Sequence, residues 1–184
     1  MNIVLIGYRC AGKTSVGRDT SRRLGIPFLD TDELVVARCG KGIAEIVMDG
    51  GWESFRALEK EVMRGLSPCR GAVIAVGGGA IEDAENREII RRLGLVVWLR
   101  TDATVVLQRM KGDEVTPQHR PPLCPGSMEQ QTAEVLRKRV PLYRELADLI
   151  LDTSAVGIET VATEICDFVR ARGIGLGPHP SRKG

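Results

Sequence analysis

Residues 2–6, NIVLI, run directly into Gly7-Tyr8-Arg9-Cys10-Ala11-Gly12-Lys13-Thr14-Ser15. Gly7, four residues, then Gly12-Lys13-Thr14 fit the pattern G-x-x-x-x-G-K-[ST]. This feature constrains the fold most, because it works only between a buried strand and a helix. Asn2 to Ile6 is short and rich in β-branched residues, which reads as that strand. From Lys13 to Leu24 the pattern turns helical, with Val16, Thr20 and Leu24 at four-residue spacing. In such a loop glycines let the backbone wrap a phosphate, and several N–H groups converge on it. The positive end of the next helix adds attraction. Lys13 then reaches the β/γ-phosphates, and the Thr14 hydroxyl is placed to ligate Mg²⁺.

The rest of the chain repeats this alternation. Strand-like runs fall at 2–6, 27–30, 73–76, 95–99 and 148–151. Helical patterns occupy about 13–24, 31–38, 43–65, 82–93, 102–110, 128–146 and 156–172. Alternating strands and helices imply βαβ units and a parallel sheet covered on both faces. Two stretches interrupt the pattern. Residues 31–65 are helix-rich around a glycine pair at Gly50-Gly51. Residues 111–126, KGDEVTPQHRPPLCPG, carry four prolines and no apolar period. A loop of that kind is either a functional lid or merely solvated. The tail from Gly173 reads as disordered.

Composition narrows the function classes. At 184 residues a single domain is expected. A net charge of +2 is too small to argue for nucleic acid or an anionic membrane surface. No apolar run reaches a membrane span, and the immediate entry into a strand argues against a signal peptide. The five cysteines are scattered, with no C-x-x-C pair, so reduced thiols in a cytoplasmic protein are expected. His119 and His179 lie far apart in Pro-rich segments and do not suggest a metal site.

Four further stretches carry chemistry. Asp30 and Asp32, in FLDTDE, follow the second strand, where strand ends of such a sheet line a ligand crevice. They suit Mg²⁺ and an acceptor hydroxyl, or one of them simply caps the next helix. Gly77-Gly78-Gly79 ends the strand AVIAV, either for close approach of a ligand to backbone N–H groups or for a tight turn. In WESFRALEKE the stripe Trp52, Phe55, Leu58 and Val62 reads as core, with Arg56 beside it and Glu59 placed to orient its guanidinium. The basic cluster Arg137, Lys138, Arg139 and Arg144 reads as a solvated helix face, and spacing alone does not single out an inward residue.

Taken together, the motifs resemble those of the shikimate kinases across roughly residues 2–170. That family carries a P-loop, D-T-D, F-R, G-G-G, R-P-x-L and R-x-P-L-Y-R in this order. Here they are Gly7–Thr14, Asp30-Thr31-Asp32, Phe55-Arg56, Gly77–Gly79, Arg120-Pro121-Pro122-Leu123 and Arg139–Arg144. The resemblance implies a P-loop three-layer α/β/α fold with a five-stranded parallel sheet, like the nucleoside monophosphate kinases. It implies one kinase domain over 1–172, a helical substrate-binding region near 31–62 and a lid near 111–125. The implied reaction is transfer of the ATP γ-phosphoryl group to the 3-hydroxyl of shikimate, in aromatic amino-acid biosynthesis.

The resemblance also implies site roles. Lys13, Asp32 and Arg120 are the expected catalytic residues. ATP is expected at Gly7, Tyr8, Arg9, Cys10, Ala11, Gly12, Lys13, Thr14 and Ser15, with Arg109 at the adenine and Arg120 folding over the phosphates. Shikimate is expected at Asp32, Arg56, Gly77, Gly78, Gly79 and Arg139. One Mg²⁺ is expected at Thr14 and Asp30, the latter directly or through a water. A cytoplasmic monomer with no nucleic-acid or membrane partner completes the expectation. Three departures stand out. Cys10 holds a position where many P-loops carry a third glycine, Trp52 one where many members carry Glu, and Val36 replaces a common Glu. A gluconate kinase is a rival with the same core, but it does not need two arginines aimed at a carboxylate. A GTPase-type switch, as a nucleotide-binding regulatory module, needs N-K-x-D, and the only asparagines are Asn2 and Asn86.

Overall fold

The structure is a computed structural model describing residues 1–112, 127–173 and 175. The chain runs β1 (Asn2–Ile6), α1 (Lys13–Leu24), β2 (Phe28–Asp30), α2 (Thr31–Cys39), α3 (Ile43–Gly65) and β3 (Val73–Ala75). A 3-10 turn at Ala80–Glu82 follows, then α4 (Ala84–Leu93), β4 (Gly94–Arg100), α5 (Ala103–Gly112), α6 (Met128–Leu146), β5 (Leu149–Asp152) and α7 (Ile158–Ala171). The five strands form one parallel sheet in the order β2-β3-β1-β4-β5. All five expected strands are therefore present, each close to its expected bounds.

β1 is central, and its period of two separates the two cores. Ile3 and Leu5 join Val73, Leu95 and Val97 against α1 and α7. Val4 and Ile6 join Ile74, Val96 and Trp98 against α3, α4 and α6. Each such aliphatic side chain contributes roughly 1.5–3 kcal/mol by leaving water. Asn2 is the polar exception in the strand. Its amide donates to the carbonyls of Cys69 (2.8 Å) and Leu93 (2.9 Å), and its Oδ1 accepts from Ala72 N (3.2 Å). A buried amide with every polar atom satisfied fixes the loops that enter β3 and β4.

The expected single helix over 43–65 is broken. Gly51 has φ 71 and ψ 177, so the axis kinks and Trp52–Gly65 runs in a new direction. The sequence marked this place only as a glycine pair. α6 starts with a capping box, Ser127 and Gln130 each accepting from the other's backbone N–H, and carries Pro141 inside. Of the expected lid near 111–125, Lys111 and Gly112 belong to the end of α5. The rest of that segment, with Arg120, lies outside the described residues, as does the tail beyond Gly173 apart from Gly175.

Candidate active site

The strand order places the C-terminal ends of β1, β2 and β3 side by side, and the functional side chains gather there. The loop after β1 folds back on itself. Lys13 Nζ donates to the carbonyls of Gly7 and Tyr8, both at 2.9 Å. Cys10 has φ 58, the left-handed region that suits glycine, and this accounts for glycine at the equivalent position of many P-loops. Ala11 and Tyr8 are buried, Tyr8 against Val106, Met110 and Val135, so they shape the loop through packing.

Asp30 caps the next helix, one of the two roles that the sequence left open, and also reaches the loop. Its Oδ1 accepts from Asp32 N (3.0 Å), capping α2. Its Oδ2 accepts from the Thr14 hydroxyl (2.8 Å). A threonine oxygen and a carboxylate thus stand one hydrogen bond apart beside the loop. Two hard oxygen donors fit Mg²⁺, which takes few protein ligands and completes its shell with phosphate and water.

A first cleft opens between the loop, α2, α3 and the turn after β3. Asp32, Arg56, Gly77, Gly78, Gly79 and Arg139 all line it. The sequence expectation therefore comes together in space. Three of its features have local causes. Gly77 N donates to the buried Thr31 hydroxyl (2.8 Å), which joins the β3 end to α2. A Cβ on Gly77 would stand 2.6 Å from Glu59 Oε1 and 2.7 Å from Asp32 Oδ1, so both carboxylates meet over this glycine. Gly78 O accepts from the buried Tyr143 hydroxyl (2.6 Å), which joins the turn to α6.

Arg56 is held from three sides. Glu59 Oε2 accepts from its Nη1 at 2.6 Å, and the rings of Trp52 and Phe55 lie 5.5 and 5.3 Å from its Cζ. Phe55 and Val62 are buried as the stripe predicts, but Trp52 is only partly buried and forms a wall of the cleft. Glu59 is 1% exposed, and its Oε1 has no hydrogen-bond partner among the described residues. Burial pushes its carboxyl up to about 7, against the pull of Arg56. Arg139 is 5% exposed and donates from Nε to Glu82 Oε1 at 2.6 Å. Its neighbours Arg137, Lys138 and Arg144 lie towards solvent. Arg9, expected with the nucleotide residues, turns its side chain over Tyr8 and lines the first cleft.

A second cavity of about 450 Å³ lies on the other side of the loop, lined by Cys10, Ala11, Gly12, Ser15, Arg109 and Thr153, among others. Arg109 donates from Nη1 to Cys10 O (3.1 Å) and from Nη2 to Thr153 O (2.5 Å), tying the loop to the segment after β5. The buried Thr153 hydroxyl contacts the carbonyls of Ala11 and Arg100, both at 3.2 Å. Sequence reasoning missed Thr31, Glu82, Tyr143 and Thr153, all of which act through contacts between distant segments. Among the described residues no group of three or more His, Cys, Asp or Glu is arranged to hold a metal on its own.

Comparison with known proteins agrees with this geometry. The sequence model described as shikimate kinase matches residues 9–170. A shikimate kinase of Syntrophus aciditrophicus is 40% identical over 172 residues, covering 89% of this chain and 88% of the relative. One of Geobacter sulfurreducens is 41% identical over 169 residues, covering 92% and 91%. Among solved structures, the Acinetobacter baumannii shikimate kinase in complex with shikimate superposes with a TM-score of 0.86 at 35% identity, covering 95% of each chain. The Aquifex aeolicus shikimate kinase gives a TM-score of 0.77 at 32% identity, covering 95% of this chain and 99% of its own.

Proposed function

This chain belongs to the shikimate kinase family, and from that premise we propose how its own residues divide the work. The protein is an ATP-dependent phosphotransferase acting on a hydroxyl group of shikimate. ATP occupies the cavity beside Arg109, with its phosphates in the loop Gly7–Ser15. Shikimate occupies the first cleft, with its carboxylate between Arg56 and Arg139 and its 3-hydroxyl towards Asp32. The observation that carries this reading is the meeting of Arg56, Arg139, Asp32 and the glycine turn Gly77–Gly79 in one cleft beside the phosphate loop. Guanidinium matches carboxylate with paired hydrogen bonds, and a hydroxyl needs a carboxylate to take its proton.

Phosphoryl transfer depends on positioning and charge stabilisation more than on covalent chemistry. Lys13 reaches the β/γ-phosphates once these displace its contacts to Gly7 O and Tyr8 O. Asp32, fixed at the first turn of α2, orients the acceptor hydroxyl and accepts its proton as the bond to phosphorus forms. Thr14 and Asp30 would hold a Mg²⁺ ion, directly or through a water on Asp30, and the ion when bound would supply charge neutralisation at the phosphates. Arg120 is assigned to the transferring phosphate by its place in the family pattern and lies outside the described residues. Residues 1–172 form one kinase domain, with the acceptor region near 31–62 and a lid near 111–125. Among the described residues no helix is long and apolar enough to cross a membrane. Cys39, Cys69 and Cys166 form no disulfide, and reduced thiols support a cytoplasmic enzyme.

The test is a coupled assay of ADP release with shikimate, gluconate and nucleoside monophosphates as acceptors, on wild type and Asp32→Asn. Shikimate alone should support turnover. The variant should lose about 10²–10⁴ in kcat, as expected for a missing general base, while ATP binding persists. A variant with wild-type kcat would remove Asp32 from its role.

A further inference from the structure

We propose that Glu82 is a positioning residue for the acceptor, holding the Arg139 guanidinium so that its Nη edge faces the cleft. The inference rests on the assignment of Arg139 to the acceptor carboxylate. Arg139 projects from α6, and its side chain is 6% exposed. A buried guanidinium needs a partner, because an unpaired buried charge is strongly destabilising. Among the described residues its ion-pair partner is Glu82, whose Oε1 accepts from Nε at 2.6 Å, and the buried Tyr143 hydroxyl lies against the same guanidinium. The Tyr8 ring lies 6.0 Å from the guanidinium carbon. Guanidinium is planar and offers its five donors in a fixed fork. An acceptor on Nε therefore sets the plane and leaves the Nη nitrogens for a second carboxylate.

The backbone of Glu82 is itself clamped. Its N–H donates to Gly79 O (3.0 Å), and its carbonyl accepts from Arg87 Nη1 (3.0 Å). Two residues earlier, Ala80 O accepts from the buried Asn86 amide (3.1 Å). Glu82 thus belongs to the same rigid turn that supplies Gly77–Gly79. Its side chain is 44% exposed and lines an adjoining groove that shares Trp52, Arg56 and Arg139 with the first cleft. Glu82 bonds the Nε edge of the guanidinium and is not among the residues that line the first cleft. Two bonds then register α6 on the turn: Tyr143 to Gly78 O, and Arg139 to Glu82.

The test measures KM for shikimate and for ATP in Glu82→Ala, Glu82→Gln, Arg139→Lys and the double variant Glu82→Ala/Arg139→Lys. Freeing one long side chain at a binding site should raise the shikimate KM about three- to tenfold in Glu82→Ala. ATP KM should stay within about twofold. Glu82→Gln keeps an oxygen acceptor and should fall between, and it retains the fold if the alanine variant does not. Arg139→Lys has no Nε fork, so adding Glu82→Ala to it should change the shikimate KM little further. An unchanged or lowered shikimate KM in both Glu82 variants overturns the proposal, as does a fully additive double variant. An unchanged shikimate KM in Arg139→Lys overturns the acceptor assignment beneath it.

Discussion

Gly79→Ala separates the acceptor site from the fold. Gly79 has φ −101 and ψ −9, a conformation open to any residue, so alanine brings no backbone strain. The obstacle is space. A Cβ at this position would overlap Arg56 Nη2 and lie 2.6 Å from Cζ and 2.8 Å from Nη1. Ordinary carbon contacts begin near ~3.5 Å, so the guanidinium must retreat by about 1 Å. It can do so, being the far end of a flexible side chain that is 31% exposed. The fold should therefore absorb the change while the acceptor contact does not. A hydrogen bond stretched by that amount is lost. A charge-assisted bond is worth roughly 1.5–3 kcal/mol, which converts to a rise of about ten- to a hundredfold in the shikimate KM.

The assay is ADP release at saturating ATP with shikimate varied, then the reverse, beside a thermal melt. ATP KM should stay within about twofold. Gly65→Ala is the control, because a Cβ there meets nothing within 4 Å and should leave both constants alone. In an Arg56→Ala background, Gly79→Ala should add almost nothing, because the group it displaces is gone. A shikimate KM within about twofold of wild type in Gly79→Ala would refute the reasoning. So would an equal rise whether Arg56 is present or already replaced by alanine.

Two further outcomes are expected. Glu59 has its carboxyl pushed by burial from the ordinary 4.5 to about 7, so the folded state holds the proton more tightly than the unfolded state. Unfolding free energy should therefore fall as pH rises from about 4.5 to about 7, by about 3 kcal/mol at most, and flatten above. Glu59→Gln should remove that slope in urea midpoints taken across pH, and an identical slope in the variant would exclude Glu59 as its source. At Cys10, with φ 58, a glycine variant should be more stable than an alanine variant by about 1 kcal/mol, since only alanine carries the left-handed penalty. Equal denaturation midpoints for the two would show that the loop relaxes out of this conformation.

The parts legible in the sequence were those fixed by local chemistry. β1 reads as a strand because Ile3 to Ile6 are apolar and the next residue is glycine, and the structure buries it completely. Arg56 and Glu59 could be paired on paper because three positions along a helix bring them together. Arg139 could not be singled out from its basic neighbours. The buried stripe of α6 runs Thr132, Val135, Arg139, Tyr143 and Leu146, and the arginine sits squarely in it. Leu136 and Val140 flank that stripe on one side and Leu142 on the other, so the apolar pattern is broad and does not single out the arginine. Gly51 was visible as a possible break, but the sequence does not say that residues on both sides stay helical. Glu82 was invisible for a different reason: its partner is 57 positions away, and no local pattern encodes that distance.

This contrast bears on how the acceptor cleft is assembled. Arg56 and its acid lie on one helix, so their geometry is complete once Trp52–Gly65 has formed. Arg139 and its acid lie on separate elements, α6 and the turn after β3, so their geometry exists only when the two are docked. Tyr143 makes the same connection one turn further along α6, reaching Gly78 itself. One side of the cleft is thus set by helix chemistry and the other by tertiary docking. A carboxylate that bonds both arginines spans the two. Its binding free energy therefore includes whatever is needed to seat α6 on the Gly77–Glu82 turn, and a perturbation of that docking should weaken the acceptor before it weakens the nucleotide.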